Sequence, residues 1–434
     1  MRRKNLLAAT AVATTLTMGL AACSSGGSGN QSDQSSGGGG DSSSSGVTVT
    51  WDMWAGSQDD MDWVENTAEI ARKENPDITI KTQTSAWNDY FTKLTTNMSS
   101  GNLACITSMN GQRLSGFTQA LSPLTDEDLA TAGLSKDDFT AGSLDIMSYD
   151  GTLYGLPYDV AAMLVYYNKD MFEETGTAEP TLDWTFDDFE TAAKGTTTDK
   201  HKGFGIGMGE FQWMALPIAK SGLQPVNEAG ELDLTAQGFV DAATWYGGLV
   251  TDQKVAGEVP SASETGWGEQ EYNAGNVAMA VDGTWNAASY FANESGFKAG
   301  ATRLPKGDNG SLGLVLGSGF GIAATCEGAE REAALKVLGS LVGKEAQDLI
   351  ASSGRSYPAR TESQPLYFEA LPDDYREEVK AAFDAGFKDV QGQRTTSNWD
   401  QVNTYMQPNL VSVYSGQMTM KDMLDQAQAQ FGSK

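Results

Sequence analysis

The fold of this chain is decided by residues 47–110, VTVTWDMWAGSQDDMDWVENTAEIARKENPDITIKTQTSAWNDYFTKLTTNMSSGNLACITSMN. Apolar and polar residues alternate at its start and again in ITIKTQT, as on half-buried strands, and LACITSM is typical of a buried strand. The segments between them carry apolar residues at helical spacing, with Ser57 as an N-cap, Pro76 as a stop and Gly101 at an end. The order β-α-β-α-β predicts an α/β fold with a mainly parallel sheet flanked by helices.

The carboxyl ends of these three strands are candidate binding positions, because ligands of open parallel sheets bind beyond those ends. The segments that follow the strands are MWAGSQ, TSAWND and SMNGQ. They place Trp54, then Trp87 with Asn88, and then Asn110 at one edge of the sheet.

The whole body, residues 47–434, is long enough for two or three domains. Beyond residue 110, its strand-like segments are MLVYYN, GFGIGM, VAMAV and LGSGFGIAA, and its helix-like segments include TFDDFETAAKG and AEREAALKVLGSLVGKEAQDLIASSG. The last third is mostly helical. Apolar residues make up 40% of the chain and aromatic residues 9%, as in an ordinary globular protein.

Residues 1–22 are typical of a secretory signal, with a basic head followed by an uncharged run that is too short for a good membrane-spanning helix. The end of the run, LAAC, resembles the bacterial lipobox. That resemblance implies cleavage before Cys23 and acylation of its thiol, and two or more acyl chains on one residue give stable anchoring. Of the 23 residues from Ser24 to Gly46, 18 are Ser or Gly. Residues 23–46 are therefore expected to be a lipidated cysteine, as the resemblance implies, followed by a flexible tether, as the composition predicts.

Charge and cysteine content narrow the function further. The net charge of −28 repels phosphate backbones and anionic lipid heads, so nucleic acid is disfavoured and the bilayer is expected to be contacted only through Cys23.

Cys105 and Cys326 are equally compatible with one disulfide and with two buried thiols. The chain has one histidine, His201, in a polar segment, and it has no CxxC or HExxH, which disfavours a metal site. No cofactor is predicted.

The ten tryptophans divide into two sets by their local sequence. Trp51, Trp63, Trp184 and Trp245 lie in a strand, in helices or before a helix, as packing residues do. The others follow strands or lie in loops beside amides and carboxylates: Trp54, Trp87, Trp213, Trp267, Trp285 and Trp399. Flat apolar faces among a few placed polar groups are typical of a pocket that binds sugar rings.

Six segments, in order along the chain, resemble the extracellular solute-binding proteins of carbohydrate ABC transporters, the group that includes maltose-binding protein. They are ARKENPDITIKTQTSAWNDYFTKLTTNMSSGN, YDGTLYGLPYDVAAMLVYYNKDMFEETG, WTFDDFETAAKG, YNAGNVAMAVDGTW, LPKGDNGSLGLVLGSGFGIAA and EAALKVLGSLVGKEAQ. The resemblance implies a two-lobed clamshell fold, each lobe a mainly parallel sheet flanked by helices. It places the first lobe at residues 47–157 plus 304–354 and the second at residues 158–303 plus 355–434.

The resemblance also implies a ligand-binding set between the lobes and no catalytic residues. The expected ligand-binding residues are Trp54, Trp87, Asn88, Asn110, Asp159, Glu210, Trp213, Trp267, Trp285, Asn286, Gly317, Ser318 and Trp399. One departure is Ala104-Cys105, which replaces the more usual proline-aspartate before the third strand.

The expected function is capture of an oligosaccharide and its delivery to an ABC-transporter permease. The protein is expected to act as a monomer, lipid-anchored at the extracellular face of the bacterial cytoplasmic membrane. A binding protein for a peptide or polyamine is the alternative within transport, and a secreted glycosidase is the alternative outside it. A glycosidase needs two carboxylates across a cleft, but among 57 acidic residues some pair is always available.

Overall fold

The computed structural model describes residues 46–140, 142–307, 313–388 and 390–432, without the side chain of Asn88. The signal segment, Cys23 and the tether lie outside the described residues. Anchoring therefore stays a prediction.

Strands and helices alternate through the first half, and helices dominate the last third. The strands are β1 (Thr48–Trp54), β2 (Thr79–Ser85), β3 (Ile106–Asn110), β4 (Ser148–Tyr149), β5 (Thr152–Leu153), β6 (Leu156–Pro157), β7 (Ala161–Asn168), β8 (Met279–Gly283), β9 (Ala299–Arg303), β10 (Gly313–Leu316), β11 (Ser318–Ile322) and β12 (Val390–Gly392).

The α-helices are α1 (Gln58–Glu74), α2 (Trp87–Ser100), α3 (Leu114–Phe117), α4 (Asp126–Thr131), α5 (Ser143–Ile146), α6 (Lys169–Thr175), α7 (Phe186–Thr196), α8 (Glu210–Ser221), α9 (Gln237–Thr251), α10 (Trp267–Asn273), α11 (Ala287–Phe291), α12 (Gly328–Leu341), α13 (Lys344–Ser352), α14 (Gln364–Glu369), α15 (Arg376–Gly386), α16 (Trp399–Tyr414) and α17 (Met420–Phe431). None of the described helices is both long and apolar enough to span a bilayer.

Local signals set the ends of the early helices, as the sequence predicts. The Ser57 side chain accepts from the backbone of Asp60 in a reciprocal capping box at the start of α1. Gly101 ends α2 with a φ of 72°, a left-handed conformation that glycine adopts without a steric penalty. The strand predicted in GFGIGM is wrong, because this segment forms only isolated bridges, such as Gly205 with Ala280.

The first sheet has the strand order β2-β1-β3-β11-β6. β1 pairs in parallel with both β2 and β3, which the β-α-β-α-β pattern predicts. β11 pairs antiparallel with β3 and with β6, because it enters this sheet from the second lobe rather than through a covering helix.

The second sheet corrects one detail of the prediction, since most of its assigned pairs are antiparallel. Its order is β12-β10-β7-β8, and β9 also pairs with β7. β7 is antiparallel to β8, β9 and β10, and only β10 and β12 form a parallel pair. A crossover connection is needed only when consecutive strands pair in parallel. The partners of β7 come from distant parts of the chain, so they can run in either direction. The two-lobed α/β class itself is confirmed.

Each sheet has its own apolar core. Trp51, Phe320 and Ile322 are fully buried in the core of the first sheet, and Phe189, Trp213 and Tyr246 are buried beside the second. In the first core, Cys105 before β3 is bonded to Cys326 after β11, with a Cα–Cα distance of 5.2 Å. The structure therefore resolves the open choice between a disulfide and two thiols.

The chain crosses between the sheets at three places that are bonded to one another. The first crossing, between β6 and β7, lies beside the second, where a single residue, Gly317, separates β10 from β11: the Tyr158 amide donates to Ser318 O at 2.9 Å. A Cβ on Gly317 would lie 2.7 Å from the Asp159 carbonyl oxygen, so only glycine permits this approach. At the third crossing, the Val160 amide donates to Tyr357 O at 3.0 Å.

Candidate functional site

A cavity of about 490 Å³ opens beside the three crossings and is lined from both sheets. The expected ligand-binding residues that line it are Trp54, Trp87, Asn110, Asp159, Glu210, Trp213, Trp285, Asn286, Gly317 and Ser318. Parallel pairing brings the ends of β1, β2 and β3 to one edge, which is why residues more than 50 positions apart in the chain meet here. A volume of this size is within the range of small-molecule sites.

Half-buried aromatic rings stand on both sides of the cavity. In the first lobe, Trp54 at the end of β1 contacts Trp87 edge-to-face, with ring centroids 5.0 Å apart. In the second lobe, Trp285 follows β8 and contacts Phe211 of α8, with ring centroids 6.1 Å apart. These four rings give the cavity apolar faces on opposite walls.

Glu210, the first residue of α8, is held in place from two directions. Its Oε1 accepts from Trp399 Nε1 at 2.6 Å. Its Oε2 lies 3.5 Å from Arg113, which comes from the first lobe and also pairs with Asp400. The Arg113 guanidinium lies over the rings of Phe91 and Trp87, and burial lowers its pKa. Arg113 therefore connects the two walls of the cavity.

Asp159 is bonded at the crossings rather than free in the cavity. Its Oδ1 accepts from the Ser318 amide and its Oδ2 from Ser356 Oγ, both at 2.7 Å. The carboxyl group of Asp159, at the first crossing, is thus hydrogen-bonded to residues of the second and third crossings. Burial raises the pKa of Asp159 to about 6, although these hydrogen bonds and Arg355 favour the charged form.

Asp282 lies beneath the second-lobe wall and is saturated with hydrogen bonds. It accepts from Gln212 Nε2 at 2.9 Å, the Gly283 amide at 2.8 Å and Asn286 Nδ2 at 2.6 Å, and also from the Tyr290 hydroxyl. Because a carboxylate repels an amide oxygen, this arrangement directs the amide oxygens of Gln212 and Asn286 away from Asp282.

Several buried polar atoms of the lining have no hydrogen-bond partner in the described part of the chain. Two are acceptors, Asn110 Oδ1 and Glu269 Oε2, and three are donors, Arg113 Nε, Arg355 Nε and Asn403 Nδ2. A buried polar group without a partner costs about 1–3 kcal/mol. The cavity is thus suited to a ligand that both donates and accepts hydrogen bonds.

Two of the expected tryptophans lie outside the cavity lining, and a third reaches it from within the second core. Trp399 is 1% exposed, does not line the cavity and donates its indole N–H to Glu210. The stacking role expected for Trp399 is therefore corrected to a supporting one. Trp213 reaches the lining but is also 1% exposed, because it packs into the second core. Trp267 begins α10 and packs against that core without lining the cavity. The side chain of Asn88 lies outside the described residues.

Further lining residues were missed by the sequence reasoning. They are Asp60, Arg113, Tyr158, Ala161, Met208, Gly209, Phe211, Gln212, Thr265, Gly266, Glu269, Leu316, Arg355, Ser356, Asn403 and Gln407. Phe211 and Gln212 adjoin Glu210, and Arg113 is three residues beyond Asn110. Their closeness in sequence to predicted site residues could have indicated them. Arg355 and Ser356 follow a helix in a polar segment, where nothing local marks a crossing.

The two-lobed fold and the cavity at its crossings define a class of proteins that bind a solute between two lobes. The chain belongs to the bacterial extracellular solute-binding protein family, whose model matches residues 66–383. The family and the fold are those of binding proteins rather than of enzymes.

Individual relatives are distant. A binding protein of Brucella abortus is 24% identical over 363 residues, which is 82% of this chain and 85% of the relative. The maltooligosaccharide ABC transporter solute-binding lipoprotein of Streptococcus pneumoniae is 24% identical over 323 residues, 70% of this chain and 71% of the relative. An ABC substrate-binding protein of Listeria monocytogenes, solved in complex with cycloalternan, matches with a TM-score of 0.78 at 24% identity and covers 89% of this chain and 100% of that chain.

Proposed function

We propose that this protein captures an oligosaccharide between its two lobes and delivers it to the permease of an ABC transporter, without catalysing a reaction on it. The observation that carries the proposal is the combination of aromatic rings on both walls with unpartnered donors and acceptors between them. A sugar ring offers C–H faces for the indoles, and its hydroxyl groups donate and accept hydrogen bonds at the edge. The oligosaccharides named for the relatives from Streptococcus and Listeria support the same ligand class.

A polyamine fits the cavity less well than a sugar. The lining contains the carboxyl groups of Asp60, Asp159, Glu210 and Glu269 and the guanidinium groups of Arg113 and Arg355. Arg113 pairs with Glu210, and Arg355 pairs with Asp60. A ligand with several positive charges would have to displace these arginines or lie beside them.

The binding test is a thermal-shift screen followed by calorimetric titration. The probes are maltose, maltotriose, lactose and mannobiose, with spermidine and a tripeptide for the alternative solutes. We expect at least one oligosaccharide to raise the melting temperature and to be recovered uncleaved after prolonged incubation. Binding of spermidine or the tripeptide alone would contradict the proposed ligand class, and cleavage of a bound sugar would contradict the non-enzymatic role.

The lobe boundaries proposed here differ from the sequence-based ones at the second crossing. Because β10 pairs within the second sheet and β11 within the first, we place this crossing at Gly317 rather than at Leu304. The other two crossings lie at residues 158–160 and 355–358. We expect a monomer whose lobes close about these crossings, so that the radius of gyration falls on sugar binding.

The membrane anchor is part of the same proposal. The LAAC sequence and the Ser/Gly-rich tether support acylation of Cys23 and a position at the extracellular face of the cytoplasmic membrane. Cys23→Ser should abolish acylation, as seen by mass spectrometry and by detergent partitioning. An acylated Cys23→Ser protein would contradict the anchor.

A further inference from the structure

Glu269 is the acidic residue of the cavity lining whose environment the binding proposal leaves unexplained. It lies in the first turn of α10 with its side chain at the cavity, and its buried Oε2 has no partner in the described chain. The other carboxylates of the lining are engaged: Asp60 with Arg355, Glu210 with Trp399 and Arg113, and Asp159 with the crossings. Glu269 is therefore the carboxyl group that is available to a ligand.

The groups that face Glu269 raise the cost of its negative charge. Burial is the main cause of a pKa well above the usual range, and the charge of Asp282 on β8 adds to it. The hydroxyls of Tyr246 on α9 and Tyr290 on α11 also interact with Glu269. These two tyrosines stay neutral, because burial raises their own pKa values further.

Burial raises the pKa of both carboxyls, but the hydrogen bonds favour ionisation of Asp282 over that of Glu269. Asp282 accepts hydrogen bonds from Gln212, Asn286, Tyr290 and the Gly283 amide, and each of them stabilises the ionised form. Glu269 has no comparable set of donors, and two neighbouring buried carboxyls do not ionise together without a large cost. A protonated Glu269 presents one donor and one acceptor to the cavity.

We propose that Glu269 is a specificity-determining residue of the cleft, which binds ligand hydroxyl groups as the neutral acid by donating one hydrogen bond and accepting another. This inference rests on the proposed function, since it describes how the same cavity recognises its sugar. Gln212 and Asn286, whose amide groups donate to Asp282, line the same cavity. The resulting subsite selects a ligand with adjacent hydroxyl groups at this position over a deoxy analogue.

The test compares Glu269→Gln and Glu269→Ala with the wild-type protein, using calorimetric titration with the sugar that gives the largest thermal shift in the screen. Gln resembles the neutral acid in shape and keeps one donor and one acceptor, so we expect wild-type affinity within about threefold. Ala removes both hydrogen bonds, and we expect binding about tenfold weaker or more. Glu271→Gln, on the same helix but outside the lining, is the matched control and should leave the affinity unchanged.

A pH series of the wild-type protein gives a second readout that needs no variant. Titrations from about pH 5 to about pH 9 cover the range in which buried carboxyls titrate. We expect affinity to fall toward high pH, because ionised Glu269 beside Asp282 would be enclosed by the ligand. Glu269→Gln should lack this fall.

Each outcome decides between the two proposals. If no sugar binds the wild-type protein, the proposed function itself fails. If a sugar binds but Glu269→Ala keeps full affinity, Glu269 does not contact the ligand. If Glu269→Gln is as weak as Glu269→Ala, or if the wild-type affinity rises toward high pH, the neutral-acid role is wrong.

Discussion

At the scale of single residues, burial divides the tryptophans of this region into half-buried rings that line the cavity and fully buried rings that support it. Trp87 and Trp285 are half-buried on opposite walls, whereas Trp399 lies in the second core with its N–H on Glu210. A ring that is already enclosed by its own lobe has no face left for a sugar. Position in a loop or after a strand is therefore insufficient to assign a stacking role.

Trp87→Ala and Trp285→Ala should each weaken sugar binding about thirtyfold. Truncation of a central aromatic anchor typically costs about 2 kcal/mol or more, and about 1.4 kcal/mol is tenfold in affinity. Calorimetric titration gives the affinity, and thermal melts give the stability of the same proteins.

Trp184→Ala is the packing control for these two variants. Trp184 is 3% exposed and donates from Nε1 to Arg303 O at 2.8 Å, outside the cavity lining. The Trp184→Ala variant should have a melting temperature several degrees lower than the wild type and an unchanged sugar affinity. Should Trp87→Ala and Trp285→Ala behave in the same way, neither ring contacts the ligand.

Asp159 should make the stability of the protein depend on pH. Burial raises its pKa to about 6 in the folded state, whereas an Asp in an unfolded chain titrates near about 4. The folded state therefore binds the proton more tightly, so its contribution to stability is full below about pH 4 and is lost as the pH rises through the folded pKa. The loss in the free energy of unfolding is about 3 kcal/mol.

Urea unfolding of wild-type and Asp159→Asn proteins at several pH values measures this contribution. Other carboxyls titrate in both proteins and cancel in the difference. The free energy of unfolding of the wild type relative to the variant should fall as the pH rises. A difference that is independent of pH would show that Asp159 titrates normally.

At the scale of elements, the short segment after β3 and the starts of two second-lobe helices form a clasp across the cavity. Arg113 follows β3, Glu210 begins α8 and Asp400 lies in the first turn of α16. The phenyl ring of Phe91 supports the guanidinium from the first lobe, with the ring centroid 4.4 Å from Cζ. Carboxylates at helix starts are also stabilised by the helix dipoles.

Arg113→Gln should therefore loosen the contact between the lobes in the unliganded protein. The expected result in small-angle scattering is a larger radius of gyration than the wild type without sugar, and the same radius at saturating sugar. Arg331→Gln is the matched control, since Arg331 pairs with Asp128 inside the first lobe at 2.7 Å. Equal radii for Arg113→Gln and the wild type without sugar would show that the clasp does not hold the lobes.

At the scale of the whole molecule, the disulfide ties two distant parts of the chain into the first lobe. Cys105 and Cys326 are 221 residues apart, and the chain between them includes β7, β8, β9 and β10 of the second sheet. A link across so long a loop restricts the unfolded chain strongly.

Reduction, or the double change Cys105→Ala with Cys326→Ala, should lower the free energy of unfolding by about 2–5 kcal/mol. Sugar affinity of the folded protein should stay the same, because both cysteines lie outside the cavity lining. Urea unfolding with and without reductant, and titration of the reduced protein, measure the two effects. An unchanged midpoint after complete reduction would contradict this role.

The sequence by itself determined the parts of this protein that depend on neighbouring residues. Alternation and capping in residues 47–110 predicted β1, α1, β2, α2 and β3, because such signals act within one or two turns of the chain. The same segment predicted that Trp54, Trp87 and Asn110 meet at one sheet edge, since parallel strands bring their carboxyl ends together. Membership of the solute-binding family also followed from short segments in order along the chain.

Tertiary structure decided whatever depends on contacts between distant segments. Nothing local distinguishes the buried Trp399 from the half-buried Trp285, since the surroundings of each ring come from other elements. The division of LGSGFGIAA between two sheets at Gly317 depends on pairing with β7 on one side and β3 on the other. Glu269 stands out only because folding buries it beside Asp282, and the free energy of a buried charge is set by its three-dimensional neighbours rather than by its neighbours in sequence.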